Sequence, residues 1–225
     1  MTDAACPRVS LAHYPGFNRF VLDWLGGDER FLPRRSPTPS ASSPNASPEL
    51  VNALVESNQR WGLFVRDDVE RWARGESVAI IAGQQVGFAG GPLYTLAKIA
   101  SLLKLKRDYE SRGIAVTVFF WLATEDHDYN EVAVLSLPAK EGQRDLLHLR
   151  ATRGFESKEV VGPLPIPSAL VDELTTYMSM ERPPYFREGI TFRDSFAELI
   201  ATTAGSGVVL VDALLPELRR AGAPL

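Results

Sequence analysis

Two short apolar runs on either side of a helix-forming segment constrain the fold of this chain more than any other feature. Residues 78–82 and 116–122 carry no charged side chain, and runs without polar alternation are typical of strands buried on both faces. Residues 93–112 between them have helical spacing, and Leu96 and Ile99 are among the side chains predicted to face inward. A strand, a crossover helix and a second strand form a right-handed βαβ unit, which builds parallel sheets. The sequence therefore predicts an α/β fold.

Shorter patterns predict further helices, a hairpin and a third strand around this unit. They are helices over residues 16–25, from Ser47-Pro48-Glu49 onward, and over 65–73, 167–180 and 191–204, a hairpin of 131–137 and 145–150 that turns at Glu141-Gly142, and a buried strand over 208–212. Residues 33–48 hold five prolines and five serines, which favours an exposed loop because prolines interrupt helices and strands. The predicted organisation is an N-terminal helical segment (1–32), this loop (33–48) and an α/β core with the inserted hairpin and helices (49–225).

Composition limits the classes of protein to which the chain can belong. The net charge is −4, from 24 basic and 28 acidic side chains, so we expect no nucleic acid partner. Cys6 is the only cysteine, which excludes an internal disulfide and a zinc site built on paired cysteines. The apolar stretches are far shorter than the roughly 20 residues of a membrane-spanning helix, and no secretory signal is visible. We therefore expect a cytoplasmic protein without a membrane partner.

A glycine-rich turn joins the first predicted strand to the long helix. Residues 83–92 contain Gly83, Gly87, Gly90 and Gly91, and glycines let a ligand approach the backbone closely. The N-terminus of the following helix offers unpaired N–H groups and a partial positive charge, which suit a phosphate or a carboxylate. The turn matches neither the dinucleotide-binding pattern nor the P-loop pattern. Two interpretations remain open at this point: an anion site, or only a tight connection between strand and helix.

A cluster of charged side chains follows the second predicted strand. Glu125, Asp126, His127 and Asp128 are consecutive, and ligands of open α/β sheets bind beyond the carboxyl ends of the strands. The three carboxylates repel one another, so a substrate amine, a metal ion or an acid–base role would offset that repulsion. No second histidine or cysteine lies nearby in the sequence, so we assign no metal. The alternative interpretation is a solvated helix cap, with Thr124 or Asp126 as the cap residue.

Two further side chains are candidates for the same edge of the sheet. Asp212 closes the third predicted strand, whose carboxyl end would lie beside the other two. Lys98 lies one turn into the long helix, where its ammonium group would point either toward the anion site or into solvent. The sequence alone does not decide which of these two directions the Lys98 side chain takes.

Two motifs resemble those of a known enzyme family. Gly83-Gln84-Gln85, followed by Gly91-Pro92-Leu93-Tyr94-Thr95 and Lys98, is similar to a signature of the bacillithiol biosynthesis cysteine-adding enzymes. Residues 120–128 with Asn130-Glu131 resemble the strand and the Glu-Asp-His-Asp segment of the same family. The resemblance covers most of residues 47–218 and corresponds to the N-terminal portion of the family.

The resemblance implies both a fold and an activity. The fold would be a Rossmann-like parallel sheet, akin to the core of class I aminoacyl-tRNA synthetases and nucleotidylyltransferases, and it would be incomplete in this chain. The activity would be that of a cysteine ligase, which joins the carboxyl group of L-cysteine to the amine of glucosaminyl-malate in the last step of bacillithiol synthesis. ATP is the suspected activator of that carboxyl group, because amide formation from a carboxylate and an ammonium is uphill in water.

The resemblance also implies roles for site residues. Asp126, His127 and Asp128 would act as the catalytic group that binds or deprotonates the amine. The residues implied in substrate or nucleotide binding are Gly83, Gln84, Gln85, Gly90, Gly91, Pro92, Tyr94, Thr95, Lys98, Glu125 and Asn130.

Two other functions remain compatible with the sequence. The chain could be a non-catalytic nucleotide- or anion-binding half of a split or degenerate enzyme, whose partner is a separately encoded C-terminal half. It could also be a different nucleotidylyltransferase-like enzyme, because a shared fold does not fix a function.

Overall fold

The structure, a computed structural model, describes residues 10, 18–26, 44, 46–138, 146–150, 159–205 and 207–211. Its contacts separate two units, Met1–Ser40 and Ala41–Leu225. Helix α1, Arg19–Leu25, belongs to the first unit. Most of the Pro/Ser-rich segment, the predicted turn at Glu141-Gly142 and Asp212 lie outside the described residues.

The second unit has the alternation of helices and strands that the sequence predicts. Its helices are α2 (Pro48–Arg60), α3 (Arg66–Ala73), α4 (Leu93–Glu110), α5 (Tyr129–Val132), α6 (Ser168–Met178) and α7 (Phe192–Ala204). Its strands are β1 (Val78–Gln85), β2 (Val116–Ala123), β3 (Val134–Pro138), β4 (Leu146–Arg150) and β5 (Val208–Val211). Within the described residues, none of the helices combines the length and the apolar character needed to cross a lipid bilayer.

Strands β1, β2 and β5 form a parallel sheet in that order, which confirms the predicted βαβ unit. Strands β3 and β4 pair separately as an antiparallel hairpin. The residues of β2 are buried or half-buried, as predicted. The prediction that β1 is also buried on both faces is wrong, because Ala79 and Ile81 are exposed and Ile81 keeps 46% of its surface accessible. β1 is an edge strand of the described sheet, and one of its faces is uncovered.

Helices cover both faces of the central strand. Phe119 of β2 packs edge-on against Trp72 of α3, with ring centroids 5.1 Å apart, whereas Phe120 packs against Phe196 of α7, with centroids 6.5 Å apart. Successive side chains of a strand point to opposite faces of the sheet, so α3 and α7 lie on opposite sides. The result is the three-layer arrangement of a Rossmann-like α/β fold.

Two local predictions differ from the structure. The first arm of the hairpin was expected to begin at residue 131, but the chain forms the short helix α5 there and β3 begins only at Val134. The Asp128 carboxylate accepts a hydrogen bond from the Glu131 N–H at 3.1 Å, and such a cap favours a helical turn over an extended strand. Leu96, predicted to face inward, is 40% exposed because it lines an open cavity, whereas Ile99 is buried as predicted.

A buried asparagine closes the outer edge of β5. Asn58 of α2 is fully buried, and its amide donates to the Val209 carbonyl at 2.8 Å and accepts from the Val209 N–H at 2.7 Å. The same amide donates to the Leu54 carbonyl at 2.9 Å. The Asn58 side chain therefore takes the place of a neighbouring strand, so a further strand cannot pair with β5 at Val209.

The start of α7 is joined to the end of α2 through Asp194. The Thr191 side chain caps α7 by accepting from the Asp194 N–H at 3.1 Å, and the Trp61 indole donates to the Asp194 carboxylate at 3.0 Å. Burial raises the pKa of Asp194, but hydrogen bonds from Arg193, Trp61 and Thr191 outweigh it, so this pKa lies below its ordinary value.

Candidate functional site

The carboxyl ends of β1 and β2 meet at one edge of the sheet and bring the two sequence motifs together. The register of the parallel pair sets Gln85 beside Ala123. The glycine-rich segment of residues 83–92 begins within the last three residues of β1, and one residue separates the Glu125–Asp128 segment from the end of β2. Open α/β sheets bind ligands at this kind of edge, and the sequence placed both motifs there; that they bind a ligand stays a prediction.

The glycines of the turn are explained by the turn's own geometry. A Cβ on Gly83 would lie 2.9 Å from the Trp121 carbonyl oxygen, and a Cβ on Gly87 would lie 2.8 Å from the Gly91 Cα. Gly90 and Gly91 have positive φ angles of 90° and 69°, which other residues adopt only with strain. The number of glycines is therefore not by itself an argument for a bound anion, because the fold requires each of them.

The N-terminus of α4 retains features that suit an anion. The N–H groups of Leu93 and Tyr94 donate to no described backbone carbonyl, as expected in the first turn of a helix. Pro92 occupies the cap position without a side-chain hydrogen bond. Thr95, in the same turn, is fully buried, and its hydroxyl has no hydrogen-bond partner among the described residues. This end of α4 is an electropositive position beside the carboxyl end of β1.

The loop after β2 is anchored by a close backbone contact. The Val161 N–H donates to the Asp126 carbonyl at 2.8 Å, and the Gly162 N–H donates to the Thr124 carbonyl at 3.1 Å. A Cβ on Gly162 would lie only 2.5 Å from the Thr124 carbonyl oxygen, so only glycine fits there. Gly162 therefore supports the candidate site, and no sequence motif pointed to it.

A chain of side-chain hydrogen bonds runs from α4 along the end of β1 to this loop. The Lys98 ammonium and the Tyr94 hydroxyl each donate to Gln84 Oε1 at 2.7 Å. Gln84 Nε2 donates to Gln85 Oε1 at 3.3 Å, and Gln85 Nε2 donates to Asp126 Oδ2 at 2.5 Å. Lys98 thus points neither to the anion site nor into solvent, the two possibilities that the sequence left open, but toward the end of β1.

Glu131 joins the same cluster from α5. Gln85 Nε2 lies 3.3 Å from Glu131 Oε2, so one amide contacts both the Asp126 and the Glu131 carboxylates. Glu131 was quoted only as part of the family motif and was assigned no role. The sequence did not indicate that Glu131 lies here, because residue 131 was predicted in the first arm of the hairpin and instead belongs to α5.

Asp126 is held as a carboxylate by several donors. Its side chain is half-buried, and this burial raises its pKa. Hydrogen bonds from the Asp128 N–H, the Gln85 amide and the His127 N–H, together with the charge of His127, lower the pKa by more than burial raises it. The net result is a pKa of Asp126 below its ordinary value. An ionised, partly accessible carboxylate at this edge can accept a hydrogen bond from a substrate ammonium.

The remaining predicted residues have different surroundings. His127 is exposed, and its imidazole makes no hydrogen bond to another described residue. Asp128 is exposed and caps α5, whereas the capping interpretation from the sequence named Thr124 or Asp126 as the cap residue. Glu125 is exposed in the same loop, and Asn130 is exposed in α5. Within the described residues, no group of three or more histidine, cysteine or acidic side chains is arranged to hold a metal ion.

A cavity of about 670 Å³ lies beside the glycine-rich turn. Its walls include Leu93, Leu96, Leu135 and Phe186, and Glu131 is the only charged side chain among its described lining residues. The cavity opens between α4 and the hairpin, next to the carboxylates bound by Gln85, so the polar cluster has an apolar neighbour on one side.

The fold is that of a Rossmann-like α/β domain, and this polar edge is a candidate ligand site at the carboxyl ends of its parallel strands. A family model described as "Bacillithiol biosynthesis BshC, N-terminal Rossmann-like domain" matches residues 29–225. The chain therefore belongs to this family.

Curated relatives agree with this assignment. Proteins named "Putative cysteine ligase BshC" are 36% identical in Salinibacter ruber, over 50% of this chain and 22% of the relative, and 33% identical in Koribacter versatilis, over 96% and 44%. The relative in Bacillus mycoides is 31% identical over 78% of this chain and 35% of its own length. The chain thus spans less than half the length of these relatives.

Proposed function

We propose that this chain carries the N-terminal part of a cysteine ligase, which joins the carboxyl group of L-cysteine to the amine of glucosaminyl-malate. The observation that carries the proposal is the Asp126 carboxylate, bound by Gln85 at the carboxyl end of β1 and close to the N-terminus of α4. The relatives are named as putative cysteine ligases, which supports the ligase part of the proposal. A free thiol substrate persists in a reducing compartment, so the proposal includes a cytoplasmic location.

Each half of the site suits one of the reacting groups. A substrate ammonium would donate to the Asp126 carboxylate, and the exposed His127 imidazole beside it can take up a proton as the amine becomes nucleophilic. The unpaired N–H groups at the start of α4 would bind a negatively charged group, either the cysteine carboxylate or a phosphate. These two groups would hold the amine nitrogen and the carboxyl carbon of cysteine next to each other, so that a C–N bond could form as the carboxyl group loses an oxygen-linked leaving group and the nitrogen loses a proton to His127.

ATP is the proposed source of activation. The fit rests on the N-terminus of α4, where the Leu93 and Tyr94 N–H groups are unpaired and the buried Thr95 hydroxyl lacks a partner. These are groups that bind phosphate oxygens in other nucleotide-binding folds. When bound, ATP would supply a good leaving group for the carboxyl oxygen of cysteine, and this chain would bind and orient it.

The test is product formation by the purified chain. The 225-residue protein is incubated with glucosaminyl-malate, cysteine and ATP, and the thiol product is followed by mass spectrometry, with and without a separately expressed C-terminal part of a relative. Product that requires ATP supports the proposal. Product without ATP removes the role of the nucleotide, and no product in either mixture contradicts the ligase assignment.

A pair of variants tests the carboxylate. Asp126→Asn keeps the size of the side chain but loses the charge, so we expect turnover to fall by roughly 100-fold or more. Asp67→Asn, an exposed acid at the start of α3, is the matched control and should retain activity. Equal activity of both variants would contradict the role of Asp126.

The second candidate is a half-enzyme that acts only with a partner, and the open edge of β1 favours it. The Val78 N–H donates to β2, at the Ala115 carbonyl, so the N–H groups of Ala79 and Ile81 point away from the sheet. Asn58 already occupies the outer edge of β5 at Val209. In the described sheet, the edge of β1 is therefore the more open place for a further strand to join.

Hydrogen exchange tests this candidate. In the chain alone, the Ala79 and Ile81 amides should exchange faster than those of Ile80 and Ala82, which face β2. Adding the C-terminal part should slow the first pair and leave the second pair unchanged. Slow exchange of all four amides without a partner would contradict an open edge, and unchanged exchange in the mixture would contradict pairing there.

A further inference from the structure

The direction of the hydrogen-bond chain between Lys98 and Asp126 is fixed by its two ends. A lysine ammonium has only donors, and a carboxylate has only acceptors. Gln84 must therefore present its oxygen to Lys98 and its NH₂ group to Gln85, and Gln85 must present its NH₂ group to Asp126. The side-chain amides of Gln84 and Gln85 therefore each have one defined orientation in this hydrogen-bond chain.

The reverse orientation would suit a protonated Asp126. A carboxylic acid O–H would donate to Gln85 Oε1, Gln85 Nε2 would donate to Gln84 Oε1, and the NH₂ group of Gln84 would face α4. Tyr94 could accept that bond, because a hydroxyl is both donor and acceptor. Lys98 could not, because an NH₂ group would then face its ammonium group at the 2.7 Å separation now occupied by an oxygen.

We propose that Lys98 is a positioning residue that, through Gln84 and Gln85, keeps Asp126 ionised and ready to bind a substrate amine. Lys98 is suited to this role because it is half-buried and is held by two acceptors, Gln84 Oε1 and the Gly83 carbonyl at 3.0 Å, and by the Tyr94 ring at 4.6 Å from the centroid. The ionised state of this half-buried carboxylate is thus set by a cation on another element. The significance of this role for catalysis rests on the proposed function, but the role itself does not.

The charged and polar groups around Asp126 define what the test must separate. Glu131 approaches Gln85 from α5, and His127 and Asp128 belong to the same loop as Asp126. Lys98 acts from α4 through the two amides, and a direct long-range charge effect of Lys98 is the competing explanation. Replacing Gln84 interrupts the hydrogen-bond chain while Lys98 stays in place, so this variant distinguishes the two explanations.

The experiment follows the Asp126 carboxyl carbon by NMR during a pH titration of the free protein, assigned with Asp126→Asn. In Lys98→Met we expect the pKa of Asp126 to rise, and Lys98→Arg should restore it. Gln84→Met should raise it as well, although Lys98 remains, and the double variant should show no further rise. Lys104→Met, which removes an exposed lysine on the same helix that pairs with Asp108, should leave it unchanged.

Several outcomes would overturn the inference. An unchanged Asp126 titration in Lys98→Met removes the role of Lys98, and an unchanged titration in Gln84→Met leaves only a direct charge effect. If the rises in the pKa of Asp126 are additive in the double variant, a single hydrogen-bond chain from Lys98 to Asp126 is also contradicted. In the ligation assay, Lys98→Met should lower kcat by roughly 10- to 100-fold. It should also shift the acid limb of the plot of kcat against pH to a higher pH. If the Asp126 titration changes as expected but neither the wild-type protein nor any variant forms product, the role of the hydrogen-bond chain stands and the ligase proposal fails.

Discussion

Replacing Asn58 should destabilise the domain more than any other exchange of a neutral polar side chain on α2. Asn58→Ala removes the amide that bonds both backbone groups of Val209, a residue that is fully buried. Each buried backbone group left without a partner costs about 1–3 kcal/mol, so the free energy of unfolding should fall by about 2–6 kcal/mol. This is a large part of the 5–15 kcal/mol that is typical of a folded domain. The Leu54 carbonyl keeps its helical hydrogen bond and adds little.

Urea unfolding followed by circular dichroism measures this loss. With an m-value of about 2–3 kcal/mol/M, the midpoint should fall by roughly 0.7–3 M. Asn52→Ala, an exposed asparagine on the same helix, is the matched control and should change the midpoint little. Asn58→Leu keeps much of the volume and should still be destabilising, because it also leaves Val209 unpaired. A midpoint for Asn58→Ala equal to that of Asn52→Ala, at the same m-value, would refute the reasoning.

Three further predictions concern other contacts. Gly162→Ala should lower the melting temperature and weaken ligand binding at the loop, because its Cβ would lie 2.5 Å from the Thr124 carbonyl oxygen; an unchanged melting curve would contradict this. The depressed pKa of Asp194 means that its stabilising contribution is present above about pH 4 and is lost as the pH falls through the folded-state pKa, so Asp194→Asn should flatten the drop in urea midpoint between pH 5 and pH 3. Ser47→Ala should cost about 1 kcal/mol by removing the cap that accepts from the Leu50 N–H at 3.2 Å, and Ser47→Asp should recover most of it in the same urea assay.

The candidate site was predictable in its location but not in its contacts. The carboxyl ends of β1 and β2 follow from the two apolar runs, so the meeting of Gln85 with the Asp126 segment could be expected from sequence order alone. The orientation of Lys98 could not, because it depends on how α4 lies beside the end of β1. The position of Glu131 could not be predicted either, because capping by Asp128 turns the start of the predicted hairpin arm into α5.

The glycine-rich turn shows the same division. Its position between strand and helix is a local property of the sequence, but the reason for each glycine is not. Gly83 is required by Trp121 on the neighbouring strand, and Gly87 by Gly91 across the turn. Gly162, from a distant part of the chain, is required by the Thr124 carbonyl. Such close approaches leave no periodic signal, because they depend on which backbones meet.

The sequence by itself determined the βαβ unit, the order of the elements and the family, because these depend on local periodicity, capping and motifs. Tertiary structure alone decided which face of β1 stays open, that Asn58 closes the edge at β5, and that Lys98 reaches Asp126 through two amides. The physical reason is that burial and hydrogen-bond direction are properties of pairs of groups. Residues such as Asn58 and Val209 are 151 positions apart in the chain and become partners only when the sheet and its helices pack together.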